Sequence, residues 1–548
     1  MGAAAIALGA LGLFVAENAT VHAPIDDAYI FYRYAQHIAD GDGLVYNLGE
    51  RVEGFTSPLW TLLLAAGITA GADAVTIGHW LGVGSGMLLL WLTFEYTAFG
   101  LTGGARIVAA LSSWLLCLSM PFAVWSTSGL ETPLFAAAGV AALIAGQRRR
   151  PWLSMLASAI AFLVRPEGLV LGGVLFLCLL DKTRFNRRSV VRPLTGYVLF
   201  VLLLTGLRLL YFGDPLPNTF YAKVGEAIPW WGVAYALAFL IQTLLPLLWP
   251  IGYVWSDREF APGRWFSCCV LLSVLTVGGD TFSFSRYFVP ALPVLCALSV
   301  RGAIRAHERT SAAARFAMLS IPVCGVWYAF GTLAGIVALV AAVLGSVSVR
   351  AGWKQRAIVV GVSLLLLSGG VFLTRRGAPR TLDQNTALDF DLIVEQIALS
   401  TRYVELRKVR TSWSFMAAMG QRFAERVDAR PPADKLVAAL GIGSFGYYSS
   451  ARVLDLAGLI DPTIAKSGPA REGRDMALPG HQRSNPSYVL SRRPDYVLIP
   501  PPFSGFLRVP ALVELWTNPE FCSTYEWDSE LEGFRRGQRQ AGPTLVAD

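Results

Sequence analysis

The chain has 548 residues, of which 54% are hydrophobic and only 15% are charged, and its mean hydropathy is +0.49. These values exclude an ordinary soluble globular protein and indicate an integral membrane protein. The formal net charge of +8 lies largely in short loops between apolar segments, so it indicates membrane topology and not nucleic-acid binding.

Apolar segments recur along residues 1–374 and predict an α-helical multispan membrane domain. A helix needs about 20 residues, at a rise of ~1.5 Å each, to cross a bilayer, and several of these segments barely reach that length. The thirteen predicted spans lie near residues 2–20, 76–98, 104–124, 132–147, 151–164, 168–181, 193–212, 232–255, 263–278, 286–300, 315–330, 332–349 and 356–374.

Positively charged loops predict the orientation of these spans, because Arg and Lys stay preferentially on the cytoplasmic side. The clusters lie at residues 147–150, 181–192, 301–315 and 350–356. If these clusters are cytoplasmic and the spans alternate in direction, the first outer loop, residues 21–75, and the C-terminus lie on the opposite face of the membrane. This count requires that Pro58–Ala70 enters the membrane without crossing it, and that residues 315–349 form two short spans.

The first apolar segment resembles a signal peptide in length. No Lys or Arg precedes Arg33, however, so the positively charged start of a signal peptide is missing. We therefore predict that residues 2–20 form the first membrane span.

Two adjacent carboxylates, Asp26 and Asp27, open the stretch that follows this span. Ile30, Tyr34 and Ile38 then fall at i, i+4 and i+8, which predicts a short helix with one apolar and aromatic face. A carboxylate at a helix start is held ionised, which suits a base, a metal ligand or an anchor for sugar hydroxyls. Asp-Asp is also a common capping pair, and two adjacent side chains point in different directions, so only one need face a substrate.

Further polar side chains stand at the ends of predicted spans on the same outer side. They are Glu131 after Ser128-Gly129, Arg165 and Glu167 around Pro166, Asn218, Tyr221 and Lys223 in FGDPLPNTFYAK, and Asp280 and Arg286 in GGDTFSFSRYFVP. Each one singly is also explained as a marker of the water interface. Gathered over one end of a helical bundle, they predict a cavity for an anionic lipid headgroup and a polyol.

After Thr374 the composition becomes polar, which predicts a second domain at residues 375–548. Asp389–Ala424 has helical periodicity, and LVAALGIG, ARVLDLAG and PDYVLIPP are short apolar runs bounded by turn residues. This mixture predicts a small soluble α/β domain outside the membrane.

Two patterns in this second domain allow either a functional role or an ordinary structural one. Gly441–Gly446 fits G-x-G-x-x-G, but no clear acidic partner follows about twenty residues on, so a strand-to-helix turn is preferred to a dinucleotide site. His481 lies in the polar loop PGHQRSNP, where a surface residue is the plain interpretation, and we keep it among the candidate binding residues. No His/Cys cluster has zinc spacing, and neither a serine nucleophile elbow nor a P-loop is present.

The Asp pair after the first span is followed by RYA, GLVYNLGERVEG and a Pro-Leu-Trp helix. This pattern resembles the GT-C superfamily of membrane glycosyltransferases that use polyprenyl-phosphate sugars. With SGLE, RPEG, RYFVP and the tail segments GYYS, VLDLAGLIDP and PSYVLSRRPDYVL, it is most similar to the actinobacterial cell-wall arabinofuranosyltransferases. The resemblance therefore covers the membrane domain and much of the tail.

The resemblance implies a role for each candidate residue. Asp26 or Asp27 would activate the acceptor hydroxyl or support the departing sugar, with Glu131 as a second acid. Cationic candidates for the donor phosphate are Arg165, Lys223 and Arg286. The remaining candidates for donor binding are Arg33, Glu167, Asn218, Tyr221, Asp280 and His481. No cofactor is required, and a divalent cation at the Asp pair is left open.

The implied function is transfer of D-arabinofuranose from a polyprenyl-phosphate donor to a cell-envelope glycan, such as arabinan, at the outer face of a bacterial inner membrane. Transfer of mannose or another hexose to glycan or protein is an alternative, because nothing in the sequence decides the ring size. A lipid or glycan transporter is a second alternative. Transporters concentrate charges at the bilayer midplane and often have repeated halves, whereas here the acids cluster at one surface and no repeat is visible.

Overall fold

Long apolar runs interrupted by Pro, Gly and charged residues make the first part of the chain helical. The computed structural model describes residues 2–18, 23–179, 187–223, 229–243, 249–280, 284–307, 402–467, 482–499 and 509–537. The helices before residue 308 are α1 (Gly2–Asn18), α2 (Asp26–Asp40), α3 (Pro58–Thr69), α4 (Ala74–Thr97), α5 (Gly103–Ala109), α6 (Leu111–Leu118), α7 (Met120–Trp125), α8 (Thr132–Gln147), α9 (Pro151–Val164), α10 (Gly168–Leu179), α11 (Arg187–Phe212), α12 (Asn218–Lys223), α13 (Pro229–Thr243), α14 (Ala261–Val277) and α15 (Leu292–His307). Short 3-10 turns lie at Trp249–Val254, Arg258–Phe260 and Arg286–Phe288.

Most predicted spans coincide with a helix, and two of them coincide with α8 and α9 at both ends. The segment at 104–124 is instead divided into α5, α6 and α7. The last of these breaks falls at Ser119, where the backbone is extended just before Pro121, which lacks the N–H that a continuous helix needs. The segment at 286–300 begins as a 3-10 turn and becomes helical only at Leu292, after Pro290.

Three helices among the described residues are long and apolar enough to cross a membrane by length and composition: Ala74–Thr97, Ser189–Phe212 and Arg258–Val277. Several shorter apolar helices accompany them. The last three predicted spans, between residues 315 and 374, and the domain boundary at 374 lie outside the described residues. The total of thirteen spans therefore stays a prediction.

Helix α4 lies inside the helical bundle, where it packs against α1, α6, α8 and α15. Phe14, Leu89 and Phe135 are fully or almost fully buried in this core. The backbone of Ser126 lies so close to α4 that only glycine fits at position 82. A Cβ at Gly82 would lie 2.5 Å from the carbonyl oxygen of Ser126. The loop after α7 is thereby held against the N-terminal half of α4.

Helix α3 is the segment that we predict to enter the membrane without crossing it. Its 12 residues span only about 18 Å, which is too short for a membrane crossing. Trp60 and Leu64 are buried in the cluster that also contains α2, whereas Leu62 is exposed. The length agrees with the prediction.

The described part of the tail combines helices with a small sheet, as its alternating composition predicts. Its helices are α16 (Arg402–Asp428), α17 (Gly443–Tyr448), α18 (Pro462–Ala465), α19 (Pro486–Ser491), α20 (Pro510–Trp516) and α21 (Pro519–Thr524). Its strands are β1 (Leu436–Ala439), β2 (Arg452–Asp455), β3 (Tyr496–Leu498), β4 (Tyr525–Asp528) and β5 (Gly533–Arg536). The sheet order is β2-β1-β3-β5-β4, in which β1 pairs in parallel with β2 and β3 and the other pairs are antiparallel.

The three predicted strands are β1, β2 and β3, and the hairpin of β4 and β5 was not foreseen. Gly441–Gly446 joins β1 to α17, so the strand-to-helix turn is the correct interpretation of this glycine pattern. Helix α17 lies against α2 and α16, and α16 also contacts α7. The sheet domain is therefore packed directly over the Asp pair of the first outer loop.

Candidate functional site

Helix α2 begins at the Asp pair because Ile25 is extended and its N–H donates to the carbonyl of Ser128 at 3.0 Å. The indole of Trp60 donates to the carbonyl of Gly129 at 3.2 Å. Gly129 has a positive φ of 78°, and a Cβ there would collide with the hydroxyl of Tyr32. The SGLE loop, residues 128–131, is thus fitted against the start of α2.

The two aspartates face different partners. The carboxylate of Asp26 accepts hydrogen bonds from the backbone N–H groups of Gly443 at 3.0 Å and Ser444 at 2.8 Å, and from the Ser444 hydroxyl at 2.8 Å. Burial raises the pKa of Asp26, and these hydrogen bonds oppose the rise. Asp27 instead lies 3.4 Å from the guanidinium of Arg286, and 25% of its side chain is exposed.

Arg286 is the centre of a first ionic group. Its Nε lies 2.7 Å from the carboxylate of Asp280, and both side chains are buried. Its guanidinium carbon lies 5.3 Å from the centre of the Trp125 ring and 5.5 Å from that of Tyr287. The cation is therefore held between two carboxylates and two aromatic faces, which limits its freedom to move.

The backbone that presents Arg286 is strained. Phe284 and Ser285 have positive φ angles of 66° and 50°, a conformation that costs a non-glycine residue about 1–2 kcal/mol. The indole of Trp125 donates to the Phe284 carbonyl at 2.8 Å and helps to retain this turn. Strain of this kind persists where surrounding contacts enforce it, as they often do at functional sites.

Arg165 is the centre of a second ionic group. It lies 2.8 Å from the buried carboxylate of Glu131 and 2.7 Å from that of Glu167. Burial opposes ionisation of Glu167, but the facing Arg165 guanidinium outweighs it and holds the pKa of Glu167 below its usual value. The second carboxylate oxygen of Glu131 is buried and has no hydrogen-bond partner among the described residues.

The two ionic groups are neighbours. The Tyr287 ring lies 5.9 Å from the guanidinium carbon of Arg165 and also contacts that of Arg286. Glu131 acts electrostatically on Arg286 as well as on Arg165. Six predicted site residues thus come together from four separate parts of the chain. They are Asp27, Glu131, Arg165, Glu167, Asp280 and Arg286.

Arg33 lies apart from this group and points into the sheet domain. Its guanidinium donates to the carbonyls of Gly446, Ser449 and Ala451, and its Nε donates to the carbonyl of Tyr46 at 2.8 Å. Its hydrogen-bonding capacity is therefore directed at backbone atoms, and its contacts are those of a structural residue.

Two candidates of FGDPLPNTFYAK, Asn218 and Tyr221, contact residues outside the two ionic groups. The amide of Asn218 donates to the carbonyls of Gly458 at 2.8 Å and Leu459 at 2.9 Å, so it holds the sheet domain. Tyr221 donates to Asp214 at 3.4 Å. Lys223 ends α12 and makes no ion pair with another described residue. His481 lies outside the described residues.

A divalent cation needs several ligands that converge. Both oxygens of Asp26 accept hydrogen bonds from the α17 turn, while Asp27 faces Arg286, so the pair does not form a joint set of ligands. Within the described ranges, no group of three or more His, Cys, Asp or Glu side chains is arranged to hold a metal ion.

A buried ion pair between the first outer loop and α11 was not foreseen from the sequence. Glu53 of the VEG segment lies 2.5 Å and 3.1 Å from the guanidinium of Arg208, and both side chains are more than 90% buried. Burial raises the pKa of Glu53 in spite of this partner. A signal was available, since Arg208 is a single charge inside a long apolar segment, and such charges usually have a partner.

Comparisons with known proteins bear on both domains. Residues 402–541 match the model of a domain of unknown function, DUF8728. The chain is 32% identical over 224 residues to the terminal β-(1→2)-arabinofuranosyltransferase of Mycobacterium tuberculosis, an alignment that covers 37% of this chain and 35% of that relative. This match confirms the resemblance to arabinofuranosyltransferases that the sequence motifs indicate, although it spans only about a third of the relative's length.

Solved structures of similar shape are more distant. ArnT from Cupriavidus metallidurans bound to undecaprenyl phosphate has a TM-score of 0.49 at 16% identity, with coverage of 84% of this chain and 86% of that chain. The arabinosyltransferase EmbB from Mycobacterium smegmatis has a TM-score of 0.39 at 13% identity, with coverage of 75% and 40%. The oligosaccharyltransferase AglB from Archaeoglobus fulgidus has a TM-score of 0.45 at 10% identity, with coverage of 90% and 68%.

Proposed function

We propose that this protein is a membrane glycosyltransferase that moves D-arabinofuranose from a polyprenyl-phosphate donor to a cell-envelope glycan. The observation that carries the proposal is the convergence of Asp27, Glu131, Arg165 and Arg286 beside the start of α2. Acids and guanidinium groups in one place suit a reaction in which a hydroxyl loses a proton while a phosphate departs. The preference for arabinofuranose is supported by the name of the relative from Mycobacterium tuberculosis.

Asp27 is the proposed general base. Its side chain is partly exposed and is bound on one side by Arg286, so it can still accept a proton from an acceptor hydroxyl. The acceptor oxygen then bonds to the anomeric carbon of the donor sugar. The bond from that carbon to the phosphate oxygen breaks, and its electron pair leaves with the polyprenyl phosphate.

The other charged groups have complementary proposed roles. Arg165 and Arg286 stabilise the negative charge that grows on the phosphate, because preformed guanidinium donors bind phosphate oxygens in a fixed geometry. One buried oxygen of Glu131, which has no hydrogen-bond partner among the described residues, stabilises positive charge that develops on the sugar ring in the transition state. None of these steps requires a nucleotide, because the sugar arrives already activated on a lipid.

A lipid donor is supported by an apolar surface on α11. Helix α11 exposes Leu199, Leu203 and Leu210, which would face lipid in a bilayer. At the end of this helix, the hydroxyl of Tyr211 accepts a hydrogen bond from the backbone N–H of Leu44 in the first outer loop. The exposed leucines of α11 therefore offer an apolar surface for a polyprenyl chain on a helix that contacts the first outer loop.

The proposed location is the outer face of a bacterial plasma membrane, with residues 1–374 as the catalytic membrane domain and 375–548 as the outer domain. Support comes from α4, which begins near the first outer loop and spans about 36 Å. Near its far end, Glu95 pairs with Arg106 at 3.0 Å and with Arg148 at 2.7 Å. The Asp pair and the arginine-rich loop at 147–150 thus lie at opposite ends of one long helix.

The test uses purified protein in liposomes with synthetic polyprenyl-phosphate arabinofuranose, mannose or glucose and an arabinan oligosaccharide. We expect an extended arabinan product with the arabinofuranosyl donor alone, and no product with the Asp27→Asn variant. Product from a hexosyl donor would overturn the choice of sugar. Movement of donor lipid across the bilayer without any product would overturn the glycosyltransferase assignment in favour of transport.

A further inference from the structure

We propose that Asp26 is a positioning residue that attaches the sheet domain to the first turn of α2 and thereby directs Asp27 toward Arg286. The inference rests on the proposed function, in which Asp27 is the base. It assigns the G-x-G-x-x-G turn of the tail, Gly441–Gly446, to the assembly of the active site and gives the two adjacent aspartates separate roles.

This turn occupies three of the roughly four acceptor positions of the Asp26 carboxylate. Its Oδ2 accepts from the Gly443 N–H, and its Oδ1 accepts from both the N–H and the hydroxyl of Ser444. A carboxylate with three donors bound to two oxygens has little capacity left for a substrate hydroxyl. The neighbouring carboxylate of Asp27 lies on another side of the helix and reaches Arg286.

The attachment explains why two positions of the turn, Gly443 and Gly446, are glycine. A Cβ at Gly443 would collide with the Asp26 backbone carbonyl and would lie 2.7 Å from its carboxyl carbon. At Gly446, a Cβ would collide with the Tyr46 hydroxyl. By contrast, a Cβ at Gly441 would meet only the Asp26 Oδ2 at 3.9 Å, which is an ordinary contact. Close approach to the first outer loop thus requires glycine at the second and third positions.

Further bonds reinforce the same junction along α2 and the loop after it. The Tyr46 hydroxyl donates to the carbonyl of Ile442 at 2.5 Å, and the Arg33 guanidinium donates to carbonyls that follow in the tail. Asn47 donates to the carbonyl of Val453 at 2.8 Å and accepts from its N–H at 3.0 Å. The sheet domain is therefore fixed to α2 over several turns, and Asp26 is the contact nearest the ionic groups.

The experiment compares four variants of the full-length protein in detergent or liposomes. Gly443→Ala and Asp26→Ala break the attachment, Asp26→Asn keeps one acceptor oxygen for Ser444, and Gly441→Ala is the matched control in the same turn. Hydrogen exchange of the amides in 441–448 measures the attachment without reference to activity, while kcat and the donor KM measure its consequence.

We expect exchange to become roughly tenfold faster in Gly443→Ala and Asp26→Ala, because hydrogen bonds that protect the turn are lost. The kcat of these two variants should fall at least about tenfold with little change in donor KM, since the base is misdirected while the phosphate contacts remain. Asp26→Asn should recover most of the lost kcat, and Gly441→Ala should match the parent in every measurement.

Two results would overturn the proposal. Parental exchange and kcat in Gly443→Ala would mean that the turn does not position α2. Loss of transfer in Asp26→Asn together with parental exchange would make Asp26 itself the catalytic acid. A parent that transfers no sugar contradicts the proposed function alone, and the exchange data then still decide whether Asp26 holds the sheet domain.

Discussion

Asp27 differs from Asp26 in what its carboxylate oxygens can still bind. One oxygen of Asp27 lies 3.4 Å from Arg286, and a quarter of the side chain remains exposed. Both oxygens of Asp26 already accept hydrogen bonds from the tail. A general base needs an accessible oxygen within reach of the proton that it removes, so the geometry favours Asp27 for that role.

The first prediction follows from this difference. Asp27→Asn keeps the size of the side chain and removes its basicity, so we expect transfer to fall at least ~100-fold while the protein still inserts and binds donor. Asp42→Asn, an exposed acid in the same loop, is the control and should keep parental activity. Parental transfer by Asp27→Asn would make the proposed mechanism wrong.

The second prediction concerns the donor phosphate. Neutralising Arg165 or Arg286 to Gln should raise the donor KM about 10- to 100-fold, since a charged hydrogen bond contributes roughly 1.5–3 kcal/mol. Lys at either position keeps the charge but not the planar guanidinium, so an intermediate KM is expected. Steady-state kinetics against donor concentration provide the measurement.

Two further variants complete the kinetic comparison. Arg106→Gln, at the far end of α4, should leave the donor KM unchanged. Lys223→Gln tests the third cation that the family resemblance implies. An unchanged KM in all of Arg165→Gln, Arg286→Gln and Lys223→Gln would place the phosphate site elsewhere.

At the scale of elements, the first outer loop is held between the membrane helices and the tail. Glu53 connects it to α11 through Arg208, and its carbonyl accepts a hydrogen bond from the N–H of Asn218 at 2.9 Å. Asn218 in turn holds the loop after β2. Three elements that are remote in sequence are thus joined at one buried ion pair.

The third prediction tests that ion pair. Glu53→Gln leaves the Arg208 guanidinium buried without its counter-charge, so we expect a loss of about 3 kcal/mol in the free energy of unfolding. Asp257→Asn removes the partner of the half-exposed Arg305 and should cost less than about 1 kcal/mol. Thermal unfolding of both variants in detergent provides the comparison, and equal Tm values would contradict the structural role of Glu53.

At the scale of the whole molecule, one long helix separates two differently charged ends. The ionic groups and the sheet domain lie near the start of α4, and the loop with Arg148 and Arg150 lies near its end. The positive charge that predicts a cytoplasmic loop therefore lies on the far side of the bundle from the proposed active site.

The fourth prediction is topological. In a Cys522→Ser background, a cysteine at the exposed Glu530 should react with a membrane-impermeant thiol reagent in cells whose outer barrier has been permeabilised. A cysteine at Arg150 should react only after lysis. The reverse labelling pattern would remove the proposed outer-face active site.

The sequence by itself determined the features that depend on local chemistry. Hydropathy predicted α8 and α9 at both ends, the Asp pair ahead of an apolar helical pattern predicted the start of α2, and short apolar runs predicted β1, β2 and β3. These features follow from neighbouring residues, because helical hydrogen bonds and strand patterns repeat over a few positions. The breaks at Ser119 and before Leu292 were not predicted, although they are local as well and the nearby prolines offered a signal.

Only the tertiary structure decided which charges meet. Asp27 and Arg286 are 259 positions apart, and Asp26 and Ser444 are 418 apart, so no local period relates them. The gathering of six candidates was expected from their shared side of the membrane, whereas the partners of Arg33 and Asn218 in the tail were not. Partner choice between distant residues depends on how the helices and the sheet pack, and that packing is a property of the whole fold.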